Sequence, residues 1–245
     1  MANKEQLQQV IEETRGLSAE SLLAYAIKRF GDRVALASSF GAEDQVLTDM
    51  LARLTPQMRI FTLDTGRLPQ ETYDVIDATR KRYGLDVEVL FPDRVAIEPL
   101  VAHGGVNLFY DSVENRRACC HARKVIPLHR KLVTLDAWIT GLRREQVATR
   151  QDIDPVQWDE GNGLFKINPL ADWTQQQVWE YIGRNNVPYN ALHDLGFPSI
   201  GCAPCTRAVA AGEDIRSGRW WWEAPQHKEC GLHVVDGKLI RKEGK

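Results

Sequence analysis

Five cysteines set the chemistry open to this 245-residue chain. Cys119 and Cys120 are adjacent in RACCHARK, Cys202 and Cys205 bracket CAPC, and Cys230 stands alone in HKECGLH. A disulfide between neighbours is disfavoured, because adjacent Cα atoms lie ~3.8 Å apart whereas unstrained disulfides need about 4.4–6.8 Å. Four thiolates arranged as CC plus CxxC suit zinc or an iron–sulfur cluster. A single tetrahedral zinc would need two consecutive side chains to converge on one ion. A [4Fe–4S] cube spreads its attachment points over separate irons and takes the adjacent pair more easily, so the pattern favours the cluster and leaves zinc open. CAPC also reads as a redox dithiol, but such a motif normally follows a strand and opens a helix, and here it follows the Gly/Pro-rich HDLGFPSIG.

The fifth thiol, Cys230, has His227, Lys228 and His233 close in sequence to favour its thiolate, which suits a nucleophile; a spare surface thiol is the competing reading. Lys124 lies four residues beyond Cys120, on the same face if this segment is helical. Its ammonium would there serve an anionic metal group and an anionic ligand together. Arg216 and Arg219, three residues apart in IRSGRWWWE, suit an anion as bidentate donors. The tryptophans of that stretch suit packing or a docking surface.

Two loops could hold a ligand beside these thiols. SSFGAED places Ser38, Ser39, Phe40 and Gly41 between an apolar run at 34–37 and a helical pattern, where backbone N–H groups and a helix start favour an anion. It has no Walker lysine, which disfavours ordinary nucleotide hydrolysis. LDTGRL puts Asp64, Thr65 and Gly66 at the same place in the next unit, to face a ribose or adenine or simply to make a turn. Arg143 and Arg144 follow a further strand, DAWITG, and can point at a ligand.

The elements that must position these loops alternate. Two helical patterns span 4–30, with Ser18 as N-cap of the second. Strand, loop and helix units follow from 34 and from RIFTLDTG, the second helix ending at Gly84. VEVLF begins a third unit, 92–133 reads mostly as helix, 151–163 reads as a loop or hairpin linker, and LFKINPLADWTQQQVWEYI gives a strand and a helix capped near Thr174. Beyond 196 the signals are short and Gly/Pro-rich, predicting an irregular C-terminal region. Alternating strands and helices predict an α/β fold whose mostly parallel, twisted sheet carries helices on both faces. The division expected is 1–210 for the nucleotide-binding domain with its cysteine site and 211–245 for a C-terminal catalytic tail. Charged residues at 26%, hydrophobic residues at 43% and a net charge of −2 describe an ordinary globular protein and argue against a nucleic-acid or membrane coat. The polar N-terminus and the lack of a span-length apolar stretch read as cytoplasmic, with no membrane partner.

Taken together, SSFGAED, LDTGRLPQETY, the CC and CAPC pairs and ECGLH resemble the assimilatory adenylyl-sulfate reductases of the phosphoadenylyl-sulfate reductase family, from about residue 30 to 235. The resemblance implies an adenine-nucleotide α-hydrolase-like fold with SSFGAED as a modified PP-loop. It implies a [4Fe–4S] cluster on Cys119, Cys120, Cys202 and Cys205, and a nucleophile at Cys230. Lys124, Arg143, Arg150, Arg216, Arg219 and His233 match the basic positions around the substrate's phosphate and sulfate. Arg116 departs from the pattern, standing where some relatives carry histidine. The implied reaction is thiol-dependent reduction of adenylyl sulfate to sulfite and AMP through an S-sulfocysteine, with thioredoxin or a glutaredoxin-like dithiol as donor and a homo-oligomer as the working form. Sister enzymes for the 3′-phosphorylated substrate typically lack the four ligand cysteines, which favours the unphosphorylated one and leaves dual specificity as the alternative. A PP-loop tRNA-thiolating enzyme ranks lower, for it should keep an intact SGGxDS loop and a basic extension.

Overall fold

The computed structural model describes residues 2–55, 57–146, 153–210 and 212–224. Cys230, His233 and Arg150 lie outside the described residues. Two amphipathic helices lead in, α1 (Ala2–Thr14) and α2 (Ala19–Phe30), the second capped by Ser18, whose side chain accepts from the Ser21 N–H. Strands β1 (Val34–Ala37) and β2 (Ile60–Leu63) follow, separated by α3 (Ala42–Leu54). Helix α4 (Gln70–Tyr83) leads to β3 (Val87–Leu90). Gly84 ends α4 at φ 63, a left-handed cap that glycine adopts without strain.

The long crossover to β4 (Ala137–Ile139) holds α5 (Arg94–Gly104), α6 (Val113–Cys120) and α7 (Ile126–Leu132). Between α6 and α7 the chain makes a π turn, His121–Val125. Pro127, at the start of α7, has no N–H for the carbonyl of Arg123, so the ladder re-registers there with one residue more per turn. The linker foreseen at 151–163 contributes β5 (Val156–Asp159), which pairs antiparallel with β6 (Leu164–Ile167). Helix α8 (Gln175–Asn185) starts with a capping box in which Thr174 and Gln177 satisfy each other's backbone N–H. After α8 the described chain has 3-10 turns and an isolated bridge but no α-helix or strand, as the Gly/Pro-rich sequence predicts.

The sheet order is β3-β2-β1-β4-β6-β5, parallel except for the β5 edge. Side chains alternate across it. Val34 and Leu36 of β1 join α1, α2, α3 and α8 in one core through Val10, Leu23, Leu47 and Ile182. Ala35 faces the other way, with Phe61 and Trp138, against Leu128 and Leu132 of α7. Both faces are therefore covered, which is why the central strands read as continuous apolar runs. Among the described residues no helix is long and apolar enough to cross a membrane.

Candidate active site

Strand order reverses between β1 and β4, and at such a switch point the loops leaving the carboxyl ends of the strands diverge and open a crevice. A cavity of about 330 Å³ occupies it. Its lining includes Ser38 and Ser39 after β1, Thr65 after β2, Arg143 after β4, Lys124 from the π turn, and Arg216 and Arg219 from the C-terminal segment. This volume falls within the range of small-molecule sites.

The wall after β1 is built around a buried carboxylate. Asp44 accepts from the Ser39 N–H at 2.6 Å and the Ser39 hydroxyl at 2.7 Å. Burial pushes its pKa up to about 6 against the pull of the Ser39 donors and the Gly141 N–H. Gly141 is required here, since a Cβ would collide with the Asp44 carboxylate and the Glu43 side chain. Phe40 takes φ 58 while fully buried against Val75 and Ile76, a left-handed conformation a bulky residue keeps only under imposed packing. Ser38 accepts from the Phe40 N–H at 3.1 Å, and Gly41 is the N-cap of α3. Ser38 and Ser39 thus line the cavity, while Phe40 and Gly41 shape the turn behind them.

In the loop after β2, Asp64 is buried; its carboxylate accepts from the Gly66 N–H at 2.7 Å and from the Tyr73 hydroxyl at 3.0 Å. Gly66 sits at φ 70. Both hold the turn. Thr65 alone of the three lines the cavity, and its hydroxyl lies 3.2 Å from the Cys202 sulfur.

Four of the basic residues singled out from sequence border the cavity. Arg143 is buried and held by carboxylates, donating to Glu43 at 2.9 Å and Glu145 at 2.8 Å. Arg219 is buried and donates to Ser199 and to the Ile200 carbonyl. Gly201 leaves room for that guanidinium, where any Cβ would overlap it. Lys124 borders both the cavity and the smaller pocket of the cysteines. The π turn sets it there, so its position follows from a helix irregularity and not from plain α spacing.

Cys119, Cys120, Cys202 and Cys205 are free thiols, all buried, and form one cluster with Phe109 and Trp220. Arg67, Arg116, Arg123 and Lys124 border the same pocket. Burial pushes Cys205 up to about 12 and raises Cys119, with Arg123 opposing the latter. Burial works against the Cys202 thiolate too, but Lys124, the Thr65 hydrogen bond, Arg219 and Arg123 outweigh it and hold its pKa below the usual thiol value. Among the described residues, no three His, Cys, Asp or Glu side chains are placed to hold a single metal ion.

Several contributors are invisible in the sequence reading. Glu43 and Asp44 stand inside the quoted SSFGAED, and an acid pair opening a helix is a usable signal for buried carboxylates there. Arg67, Arg123 and Glu223 carry no local signal; Glu223 meets Arg116 across 107 residues of chain.

The phosphoadenosine phosphosulfate reductase domain family matches residues 33–208. The chain is 52% identical over 220 residues to the adenosine 5′-phosphosulfate reductase of Allochromatium vinosum, covering 90% of this chain and 86% of that protein. It is 45% identical over 231 residues to the protein of the same name from Pseudomonas aeruginosa, covering 92% and 85%. Among solved structures, phosphoadenylyl-sulfate reductase from Candida auris, in a phosphate complex, matches at a TM-score of 0.71 and 28% identity over 84% of this chain and 97% of that one. Candida glabrata FMN adenylyltransferase shares the fold at a TM-score of 0.56 and 16% identity, over 98% of this chain and 78% of that one.

Proposed function

This chain belongs to the phosphoadenosine phosphosulfate reductase family, its curated relatives being adenosine 5′-phosphosulfate reductases, and from that premise we propose that it reduces adenylyl sulfate to sulfite and AMP. The observation that carries this reading is the place of Lys124, between the switch-point cavity and the four-thiol patch. The cavity suits a nucleotide by position, and Lys124, Arg143, Arg216 and Arg219 suit its phosphate and sulfate by charge.

Residues 211–245 act as a catalytic tail bearing Cys230. Its thiolate attacks the sulfate sulfur, a sulfur–sulfur bond forms, and the sulfur–oxygen bond breaks with its electron pair leaving on the phosphate oxygen of AMP. The preorganised cations neutralise like charges on nucleophile and substrate and stabilise the charge that develops on the leaving group. By the family resemblance, His233 and Arg150 would add positive charge for the thiolate and for the anionic groups of the substrate. A dithiol protein such as thioredoxin then attacks the Cys230 sulfur and expels sulfite, and its second thiol resolves the mixed disulfide; the donor supplies two electrons and the Cys230 thiolate returns.

The four buried thiols fit a [4Fe–4S] cluster. They are soft donors gathered in one patch, and the surrounding cations suit the negative charge of a thiolate-ligated cluster. Cys119, Cys120, Cys202 and Cys205 would hold it, and it would supply a fixed local charge and a covalent tie between α6 and the C-terminal loop. Four free thiols also agree with a reducing compartment, the cytoplasm.

The test is sulfite release by purified protein with a dithiol, from adenylyl sulfate and from its 3′-phosphorylated form in turn. Release from the first, with a kcat/KM at least about tenfold above that for the second, supports the reading. No release from either contradicts it.

A further inference from the structure

The segment that carries Arg216 and Arg219 has no helix or strand of its own, yet its centre is firmly buried. Trp220 is 1% exposed and sits at φ 42, a left-handed conformation that an aromatic residue keeps only when its surroundings over-determine it. Two guanidinium groups lie over its ring, Arg116 at 4.7 Å and Arg219 at 4.9 Å from the centroid. Arg116 belongs to α6, the helix that ends in Cys119 and Cys120, and it also forks onto Glu223 with bonds of 2.9 and 2.8 Å. Side-chain exposure is 0% for Arg116 and 3% for Glu223, so neither charge has water to fall back on. Such a pair is a poor source of net stability, and removing either partner leaves the other buried without its main counter-charge.

The contacts run in sequence from α6 to the cavity: Arg116 to Glu223 and Trp220, Trp220 to Arg219, and Arg219 to the cavity lining. The Arg219 side chain also donates to Ser199 and to the Ile200 carbonyl, at 3.3 and 3.2 Å. We propose that Arg116 and Glu223 form a clasp that positions Arg219, through Trp220, for the anionic end of the nucleotide. Arg116 is on this account a positioning residue, and the clasp rests on the reading that the cavity binds adenylyl sulfate.

The test is a double-mutant cycle in the full chain, read by calorimetric affinity for AMP and by KM and kcat for adenylyl sulfate. Arg219→Met is expected to weaken AMP binding about tenfold or more, the loss of one charge-assisted contact. Glu223→Gln, which keeps the shape and removes the charge, is expected to weaken it about threefold and to raise KM with kcat held within about twofold. Combined with Arg219→Met, Glu223→Gln should add nothing, because the group it positions is gone. Arg116→Met should follow the same pattern with a larger single effect. If Arg116→Met fails to fold, the Glu223→Gln cycle alone decides. Additive losses, or full AMP affinity in Glu223→Gln, overturn the clasp while wild-type sulfite release leaves the function standing. A wild-type protein that binds no AMP and releases no sulfite removes the functional reading and the clasp together.

Discussion

The two walls of the cavity are held by different means. After β1, the wall from Ser38 to Asp44 rides on a central strand with neighbours on both sides, and its turn is fixed by a buried carboxylate. The other wall, Lys124 and the segment 212–224 with the four thiols in the adjoining pocket, is built from the end of α6, a π turn and short 3-10 turns. It depends on side chains meeting across long stretches of sequence: Thr65 with Cys202, Arg123 with the Thr65 carbonyl, Arg116 with Glu223. The first wall is specified by the periodicity of the fold and comes preformed. The second is specified by charge pairing and thiol chemistry, so a single polar substitution there should reach further than one in the sheet.

The sharpest way to break this contrast is Cys202→Ser. Iron per chain is expected to fall to about a tenth or less and sulfite release by at least ~100-fold, while the far-ultraviolet dichroism of the sheet and helices stays close to wild type. Full iron content and activity would mean that Cys202 is not a ligand the site requires. Next in size is Lys124→Met, expected to lower kcat/KM for adenylyl sulfate by about 10²-fold through lost charge stabilisation, with iron content retained. An effect under threefold would take Lys124 out of the site.

On the first wall, Asp44→Asn is expected to act on stability through pH. Burial in the folded protein raises the Asp44 pKa from its ordinary value of 3.8 to about 6, so its stabilising contribution is full below about pH 4 and is lost as pH rises through about 6. The melting temperature of wild type minus that of Asp44→Asn should therefore fall between pH 4 and 7, and a flat difference would contradict the buried-carboxylate account. The smallest effect belongs to Tyr73→Phe, which removes one hydrogen bond to Asp64 and should cost about 1 kcal/mol of stability in chemical denaturation. AMP affinity should stay within about twofold; a larger loss would make Asp64 a ligand-facing residue after all.

The same contrast decides how much could be read from sequence. Sheet, crossovers and caps were legible because each leaves a local mark: the continuous apolar run from Val34 to Leu36, Ser18 and Thr174 as N-caps, Gly84 as a left-handed stop. The loop SSFGAED was legible as a site by its position, but not the use of Asp44, whose carboxylate takes donors that the sequence reading offered to an anion. The cysteine quartet was legible by count and spacing. Its surroundings were not, since Arg67, Arg123 and Glu223 reach it through contacts of long sequence separation that no periodicity encodes. In LDTGRL, where ligand contact and a turn were both open from sequence, the Asp64 carboxylate and the Gly66 N–H are engaged in the turn.

The central claim is the division of labour between four thiols that hold a metal group and a fifth that forms bonds. It is tested most directly by mass spectrometry of the iron-loaded protein, incubated with adenylyl sulfate in the absence of any thiol and then digested. The expected result is about one sulfite-sized addition per chain on the peptide containing Cys230, with one AMP released and the peptides of Cys119, Cys120, Cys202 and Cys205 unchanged. An unmodified Cys230 peptide after AMP release, or an addition on one of the other four thiols, would contradict it.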